Sequence, residues 1–166
     1  MDRERKCIIN LIVSDRFCKE ILPLVRKQYW ATNYAREVAS WIEEYYNQFS
    51  KSPGKDIKSI YHSKRSFIAD EGIQDEISFF LFSLSKEYET LQPNNIDYEI
   101  QEAEKYLGIR ALELLEDQIH ESIIDNDKTK AEAAVSNFKR VAKPMGQGIS
   151  LLRDAQKVSD AFTDED

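Results

Sequence analysis

Few residues in this sequence belong to the types from which most enzyme sites are built. It has 166 residues but only two histidines and two cysteines, too few for a His/Cys metal cage or a multi-histidine active site within one chain. No stretch matches the phosphate-binding loops GxxxxGKS, GxxxxGKT or GxGxxG. Five glycines and four prolines argue against an all-β protein with many tight turns and against low-complexity disorder. The composition therefore predicts a binding or architectural domain with no catalytic residues, no cofactor and no metal.

Long apolar runs and paired cysteines are also missing. The run Cys7–Val13 is interrupted by Asn10 and is too short to cross a membrane, and no small-residue cleavage site of a signal peptide follows it. Cys7 and Cys18 form no Cys-x-x-Cys pair, which favours free thiols in a reducing compartment. We therefore expect a cytoplasmic protein without membrane contact.

The net charge of −7 conceals an asymmetry along the chain. Residues 1–66 carry 13 Lys and Arg against 8 Asp and Glu, whereas residues 67–127 carry 3 against 16. A basic front of this kind can contact nucleic acid or an acidic partner even in an acidic protein. Charge clusters in helical sequence are also typical of solvated helix faces, and both interpretations stay open.

Apolar residues recur at helical spacing through most of the chain, which predicts an all-α fold. Ser14 can cap a helix that follows it, and Pro23 predicts a kink or an early helix end because it lacks a backbone N–H. We expect a compact bundle of five or six helices over residues 1–92, a helical hairpin over residues 96–142 and a linker tail over residues 143–166.

The hairpin is predicted from two periodic segments separated by a polar turn at residues 125–127. The first runs from Asp97 to about Asp125 and carries two adjacent apolar stripes: Ile100, Ala103, Leu107 and Leu114, then Leu112, Leu115, Ile119 and Ile123. The second is rich in alanine and continues to Ala142. Because small residues such as Ala131 and Ala134 allow close helix approach, we expect this stripe to pack on a neighbour's hairpin in a homo-oligomer.

Two catalytic alternatives have little support. The segment Asp117–His120 approximates the Glu-x-x-His motif of di-iron helical bundles, but the required second motif is missing because His62 has no matching carboxylate. A Cys-His nucleophile pair between His62 and either cysteine rests on residue type alone. A solvated acidic helix face is the simpler interpretation of the first segment.

A basic cluster begins within the break at residues 50–54 and continues beyond it. It comprises Lys51, Lys55, Lys58, Lys64 and Arg65 against the single acidic residue Asp56, with Tyr61 and His62 between them. Basic side chains that neutralise phosphates beside an aromatic ring that stacks on a base would give weak, salt-sensitive single-stranded DNA contact. The alternative is a surface loop whose lysines keep the protein soluble.

Aromatic residues concentrate between Tyr29 and Phe49 and cover more than one helix face. Most of them are expected in the core, and one face is a candidate protein interface because Trp and Tyr are enriched in such contacts. The candidate interface residues are Tyr29, Trp30, Ala131, Ala134 and Phe138.

The order of segments resembles the N-terminal domain and linker hairpin of DnaB-like replicative helicases of phages and mobile elements. Arg5–Asp15 is similar to the family's first helix, with two apolar pairs that end in a small residue and Asp. Ile21–Leu24 followed by Tyr29-Trp30 is similar to the second helix and its closing aromatic. Tyr34–Val38 lies where the family begins its third helix, without the histidine usual there.

Later segments extend the resemblance. Ser52-Pro53 with Asp56-Ile57 resembles the family's Ser-Pro-x-Asp turn. Asn95-Ile96 with Tyr98 and Arg110 resembles the family's entry into the hairpin. Residues 121–141 resemble the second half of that hairpin, and residues 149–162 resemble the stretch before the ATPase domain.

The resemblance implies a non-catalytic assembly and partner-docking domain that supports a ring of subunits and contacts a primase or a helicase loader. The ATPase motor of such a protein would lie after residue 166. The alternative is a free-standing helical adaptor or regulator that binds another protein through an aromatic helix face.

Overall fold

The computed structural model describes residues 2–87 and 95–142. Over these ranges the chain forms helices and no strand, which confirms the all-α fold. The α-helices are α1 (Arg3–Val13), α2 (Asp15–Ile21), α3 (Asn33–Phe49), α4 (Ile57–Lys64), α5 (Glu71–Glu87), α6 (Ile96–Ile124) and α7 (Lys128–Asn137). Short 3-10 turns lie at Leu22–Leu24, Lys27–Tyr29, Gly54–Asp56 and Arg65–Phe67.

The first two helices meet at a one-residue corner. Ser14 donates its backbone N–H to the Asn10 carbonyl at 2.9 Å, which closes α1. Its hydroxyl accepts the Phe17 N–H at 3.1 Å, which caps α2 and satisfies one of that helix's free donors. Helix α2 ends before Pro23, which lies inside a 3-10 turn, so the early end predicted from that proline is confirmed.

Helix α1 lies at the centre of the bundle and contacts α2, α3 and α6. Its buried side follows the helical period through Cys7, Ile8, Leu11 and Ile12. The largest fully buried side chains around it come from different elements: Trp30, Phe17, Ile21, Ile42, Ile77 and Leu107. Each such apolar group stabilises the fold by about 1.5–3 kcal/mol relative to exposure.

Helix α6 belongs to both the bundle and the hairpin. Its first half buries Ile100, Ala103, Leu107 and Ala111 against the bundle. Its second half continues beyond Ala111 and packs against α7, which follows the turn at residues 125–127. The described residues therefore form the helical hairpin that the periodicity predicts.

The second helix of the hairpin is shorter than predicted. Helix α7 ends at Asn137, and Phe138 has an extended backbone with φ −63° and ψ 129°, so the expectation of helix as far as Ala142 is wrong. Phe138 and Val141 are instead half-buried against the core. The predicted linker at residues 143–166 lies outside the described residues.

Candidate interaction surfaces

An apolar strip runs along the outer side of the hairpin. We call it the hairpin face and define it by Leu112, Leu115, Ile119 and Ile123, which line one shallow surface depression together with Glu116 and His120. Leu112 is 53% exposed and Ile123 is 66% exposed. The face follows from the spacing of the second apolar stripe, because the first stripe of α6 is the one that packs on the bundle.

The hairpin has further exposed apolar groups outside this face. Ile124 at the tip and Val135, near the far end of α7, are both more than half exposed. Asn126 adopts a left-handed backbone with φ 54°, a conformation that asparagine tolerates better than most residues. The Asp127 carboxylate then accepts the Lys130 N–H at 3.0 Å and starts α7. These local features fix the conformation of the turn, and the Ile124 side chain beside it stays exposed to solvent.

A second surface lies on the outer side of α5. We call it the α5 face and define it by Glu71, Asp75, Phe79 and Phe82, which recur at intervals of four, four and three. Phe79 is 75% exposed and Phe82 is 62% exposed. The opposite side of α5 is in the core through Ile77, Phe80, Leu81 and Leu84.

Sequence reasoning missed the exposed phenylalanines of α5. The run Phe79–Phe82 is apolar at four consecutive positions, and a helix cannot turn four consecutive residues toward one core. That run was the signal that at least one large apolar side chain would face outward.

The basic cluster is only partly assembled as expected. Lys55, Lys58 and Arg65 are exposed, but the Lys64 ammonium lies 3.1 Å from the Glu44 carboxylate. Tyr61 is 8% exposed, its ring lies 6.3 Å from that of Trp41, and its hydroxyl donates to the Gln74 carbonyl at 3.3 Å. The expectation that Tyr61 stacks on a nucleic-acid base is therefore corrected, because its ring belongs to the core.

Hydrogen bonds position the turn that precedes this cluster. The Asp15 carboxylate accepts both the backbone N–H and the hydroxyl of Ser52 at 2.8 Å, and these bonds lower the pKa of Asp15. The Tyr45 hydroxyl donates to Asp56 at 2.8 Å, and this bond raises the pKa of Tyr45. Ser50 and Gly54, both at positive φ, make the reversal between α3 and α4.

Two of the predicted interface residues lie inside the chain's own core. Trp30 is 1% exposed and Tyr29 is 6% exposed, and the Tyr29 carbonyl accepts the Arg110 Nε–H at 2.8 Å. The expectation that their side chains form a contact surface is corrected accordingly. Phe138 and Ala134 are half-buried beside Tyr29 in a crevice of about 420 Å³, and Ala131 is also half-buried, on α7.

A groove of about 330 Å³ separates α3 from α4. Trp41, Tyr45, Phe49 and Ile60 form its apolar wall, and the Tyr45 and Phe49 ring centroids are 4.6 Å apart. The ion pair between Lys64 and Glu44 closes one side. Two polar groups at this groove, the Tyr45 hydroxyl and the Lys64 ammonium, already have carboxylate partners within the chain, Asp56 and Glu44.

The ionisable groups of the described ranges are arranged for stability. No group of three His, Cys, Asp or Glu side chains within these ranges has metal-binding geometry. Burial raises the pKa of both Cys7 and Cys18 to about 12, so neither thiol is ionised near neutral pH. The buried Glu4 carboxylate accepts hydrogen bonds from two other segments, residues 31–32 and Tyr106 of α6.

No protein-family model matches the chain, and no curated protein or solved structure shows significant similarity to it. None of the helices in the described part combines the length and the apolar character needed to cross a membrane.

Proposed function

We propose that this chain is a non-catalytic assembly and partner-docking domain of a replicative-helicase-like protein. The observation that carries the proposal is the hairpin face, an apolar strip on a hairpin that extends beyond the bundle, in which two of the four side chains are exposed and two are half-buried. Exposed apolar strips of this kind typically mark interaction sites in proteins. In this proposal the hairpin face contacts further copies of the chain, and a primase or a loader docks on the assembly.

The energetics favour association through this face. Burying an exposed Leu or Ile side chain contributes about 1.5–3 kcal/mol. Two hairpins that meet face to face would bury Leu112, Leu115, Ile119 and Ile123 from each copy. Because Leu112 and Ile123 are 53% and 66% exposed and Leu115 and Ile119 are already half-buried, each side chain gains only part of this value. Their sum is of the same order as an association cost of about 4–15 kcal/mol.

The helicase context is supported by the order of segments. A short first pair of helices, an aromatic residue before α3, the Ser52-Pro53 turn and a final hairpin follow the order of the resembled family. The next stretch of the open reading frame tests this part of the proposal. A phosphate-binding loop of the GxxxxGKS type encoded after residue 166 would support it, and a stop codon directly after Asp166 would contradict it.

The assembly function is tested by placing charge on the hairpin face. We expect the double variant Leu112→Glu, Ile123→Glu to be monomeric in sedimentation at concentrations where the unmodified chain associates, because two carboxylates would be desolvated in the contact. The control variant Asn47→Asp, Gln101→Glu adds the same charge at exposed positions of α3 and α6 and should associate normally. A strictly monomeric unmodified chain would contradict the proposal.

A further inference from the structure

We propose that the α5 face of one copy docks on the basic side of a second copy, at Lys55, Lys58, Arg65 and Phe67. This inference rests on the proposed assembly function and identifies the partner of a second contact, separate from the hairpin face. It would join two different surfaces of the chain, in contrast to the like-with-like pairing of hairpins.

The α5 face combines apolar and acidic character. Phe79 and Phe82 are largely exposed, although monomeric proteins rarely leave large aromatic groups together on the surface. On the same side of the helix, Asp75 lies one turn before Phe79 and Glu71 lies two turns before it, and exposed Glu76 is adjacent. None of these three carboxylates forms an ion pair within the described ranges.

The basic side presents the complementary combination. Lys55, Lys58 and Arg65 are exposed and form no ion pair with a described residue. Phe67 lies two residues after Arg65 in the same 3-10 turn and is 83% exposed, the most exposed large apolar side chain described. Asp56, between Lys55 and Lys58, is also exposed, and its carboxylate accepts from the Tyr45 hydroxyl. The basic side therefore has a net positive charge beside Phe67, which complements the carboxylates and phenylalanines of α5.

Charge complementarity favours a second copy as the occupant. Both surfaces occur on every chain, so their local concentration rises as soon as the hairpin face brings copies together. A contact between two different surfaces can be repeated from copy to copy and closes a ring when the rotation permits. Nucleic acid is a weaker match for the basic side, because the Tyr61 ring is in the core and cannot stack on a base.

The test is an exchange of charges between copies. One variant carries Asp75→Lys and Glu76→Lys, and the other carries Lys55→Glu and Lys58→Glu. Each variant alone should associate about tenfold more weakly than the unmodified chain at low ionic strength, because like charges would meet. An equimolar mixture should form mixed oligomers with affinity restored, since the acidic side of one variant again faces the basic side of the other.

Three further arms complete the design. The control variant Glu43→Lys, Asp117→Lys reverses two exposed charges outside both surfaces and should associate as the unmodified chain does. Raising the ionic strength should weaken the contact. The variant Phe79→Ser should also weaken the contact, and this loss of affinity should persist at high ionic strength because it comes from an apolar group.

Several outcomes would overturn the inference. If the mixture stays as weak as the single variants, the two surfaces do not meet. If charge reversal has no effect while Leu112→Glu, Ile123→Glu abolishes association, the assembly function stands and this contact is wrong. If Lys55→Glu, Lys58→Glu changes only the binding of a single-stranded oligonucleotide, the basic side serves nucleic acid. If the chain stays monomeric but a lysine-rich helical peptide binds the α5 face, the occupant is a foreign protein.

Discussion

Glu4 joins three segments that are far apart in the sequence. Its carboxylate accepts the Ala31 N–H at 2.6 Å and the Thr32 N–H at 3.2 Å, just before α3 begins. It also accepts the Thr32 hydroxyl at 2.5 Å and the Tyr106 hydroxyl of α6 at 3.0 Å. A buried carboxylate is tolerated when hydrogen bonds replace its lost hydration, and four donors do so here.

Removal of this carboxylate should be costly. We expect Glu4→Ala to lower the free energy of unfolding by about 3 kcal/mol, because two backbone donors and two hydroxyls lose their acceptor in the interior. Denaturant titration followed by circular dichroism would measure the loss. The control Glu43→Ala, at an exposed site on α3, should change the free energy by less than about 0.5 kcal/mol.

The two buried thiols predict how stability depends on alkaline pH. Burial raises the pKa of Cys7 and Cys18 from 9.0 to about 12. The unfolded chain therefore loses these protons at lower pH than the folded chain, so their contribution to stability is complete below pH 9 and is lost between pH 9 and about 12. Unfolding titrations across this range should show the decline, and Cys7→Ala, Cys18→Ala should make it shallower.

Thiol labelling gives an independent check of the same burial. We expect a thiol reagent to modify neither cysteine quickly in the folded chain, because Cys7 is 2% exposed and Cys18 is fully buried and donates to the Leu11 carbonyl. Both should react at once in concentrated denaturant. Fast reaction of the folded chain at neutral pH would contradict the structure.

Residue type alone did not distinguish core from surface at several aromatic positions. Tyr29 and Tyr61 suit an interface and a base-stacking site by type, yet both lie in the core. There the Arg110 side chain of α6 donates to the Tyr29 carbonyl, and the Gln74 carbonyl of α5 accepts from the Tyr61 hydroxyl. These contacts span 81 and 13 positions of sequence. Local periodicity contains no information about such distant partners, and the same holds for Glu4 and Tyr106.

At the scale of helices, boundaries set by local chemistry were predictable. Ser14 caps α2, Pro23 follows its end, and the turn at residues 125–127 separates α6 from α7. The end of α7 was not, because Phe138 and Val141 have the right spacing for a helix but pack back against the core in another conformation. No Gly or Pro marks the end of α7, and the burial of Phe138 and Val141 against the core sets this boundary instead.

The cap of α7 can be tested alone. We expect Asp127→Ala to destabilise α7 by about 1 kcal/mol, because the Lys130 N–H loses its side-chain acceptor. Hydrogen exchange of the α7 amides should accelerate several-fold while the α1 amides stay unchanged. The neighbouring exposed variant Lys130→Ala keeps the backbone N–H that Asp127 caps and should leave both helices as they are; equal acceleration in both variants would argue against the cap.

For the whole molecule, the structure predicts a gradient of stability along α6. Residues 100–111 face the bundle core, whereas residues 112–124 contact mainly α7. Amides of the first half should therefore exchange close to the rate of global unfolding, and those of the second half faster, through local opening of the hairpin. At concentrations that favour association, the second half should gain protection; unchanged exchange there would indicate that the hairpin face stays in water.

Only some of the charges that make the sequence asymmetric are exposed on the surface of the folded chain. The acidic stretch supplies the exposed carboxylates of α5 but also Glu99, which is buried and accepts from Asn10 at 3.2 Å. The basic front supplies the exposed cations near α4, while Arg36 is held by the Trp30 carbonyl and Asn33. Counting charges along the sequence does not show which of them stay exposed, because the packing of the helices determines that.

The corner at Ser14 has a consequence for how the chain can vary in length. Because a single residue closes one helix and opens the next, a codon inserted beside it would separate the Ser14 hydroxyl from the Phe17 N–H and rotate α2 relative to α1. The tip around Asn126 has no such constraint toward the bundle. Among natural or designed variants, insertions and deletions are therefore expected at the tip, and the corner is expected to keep its length.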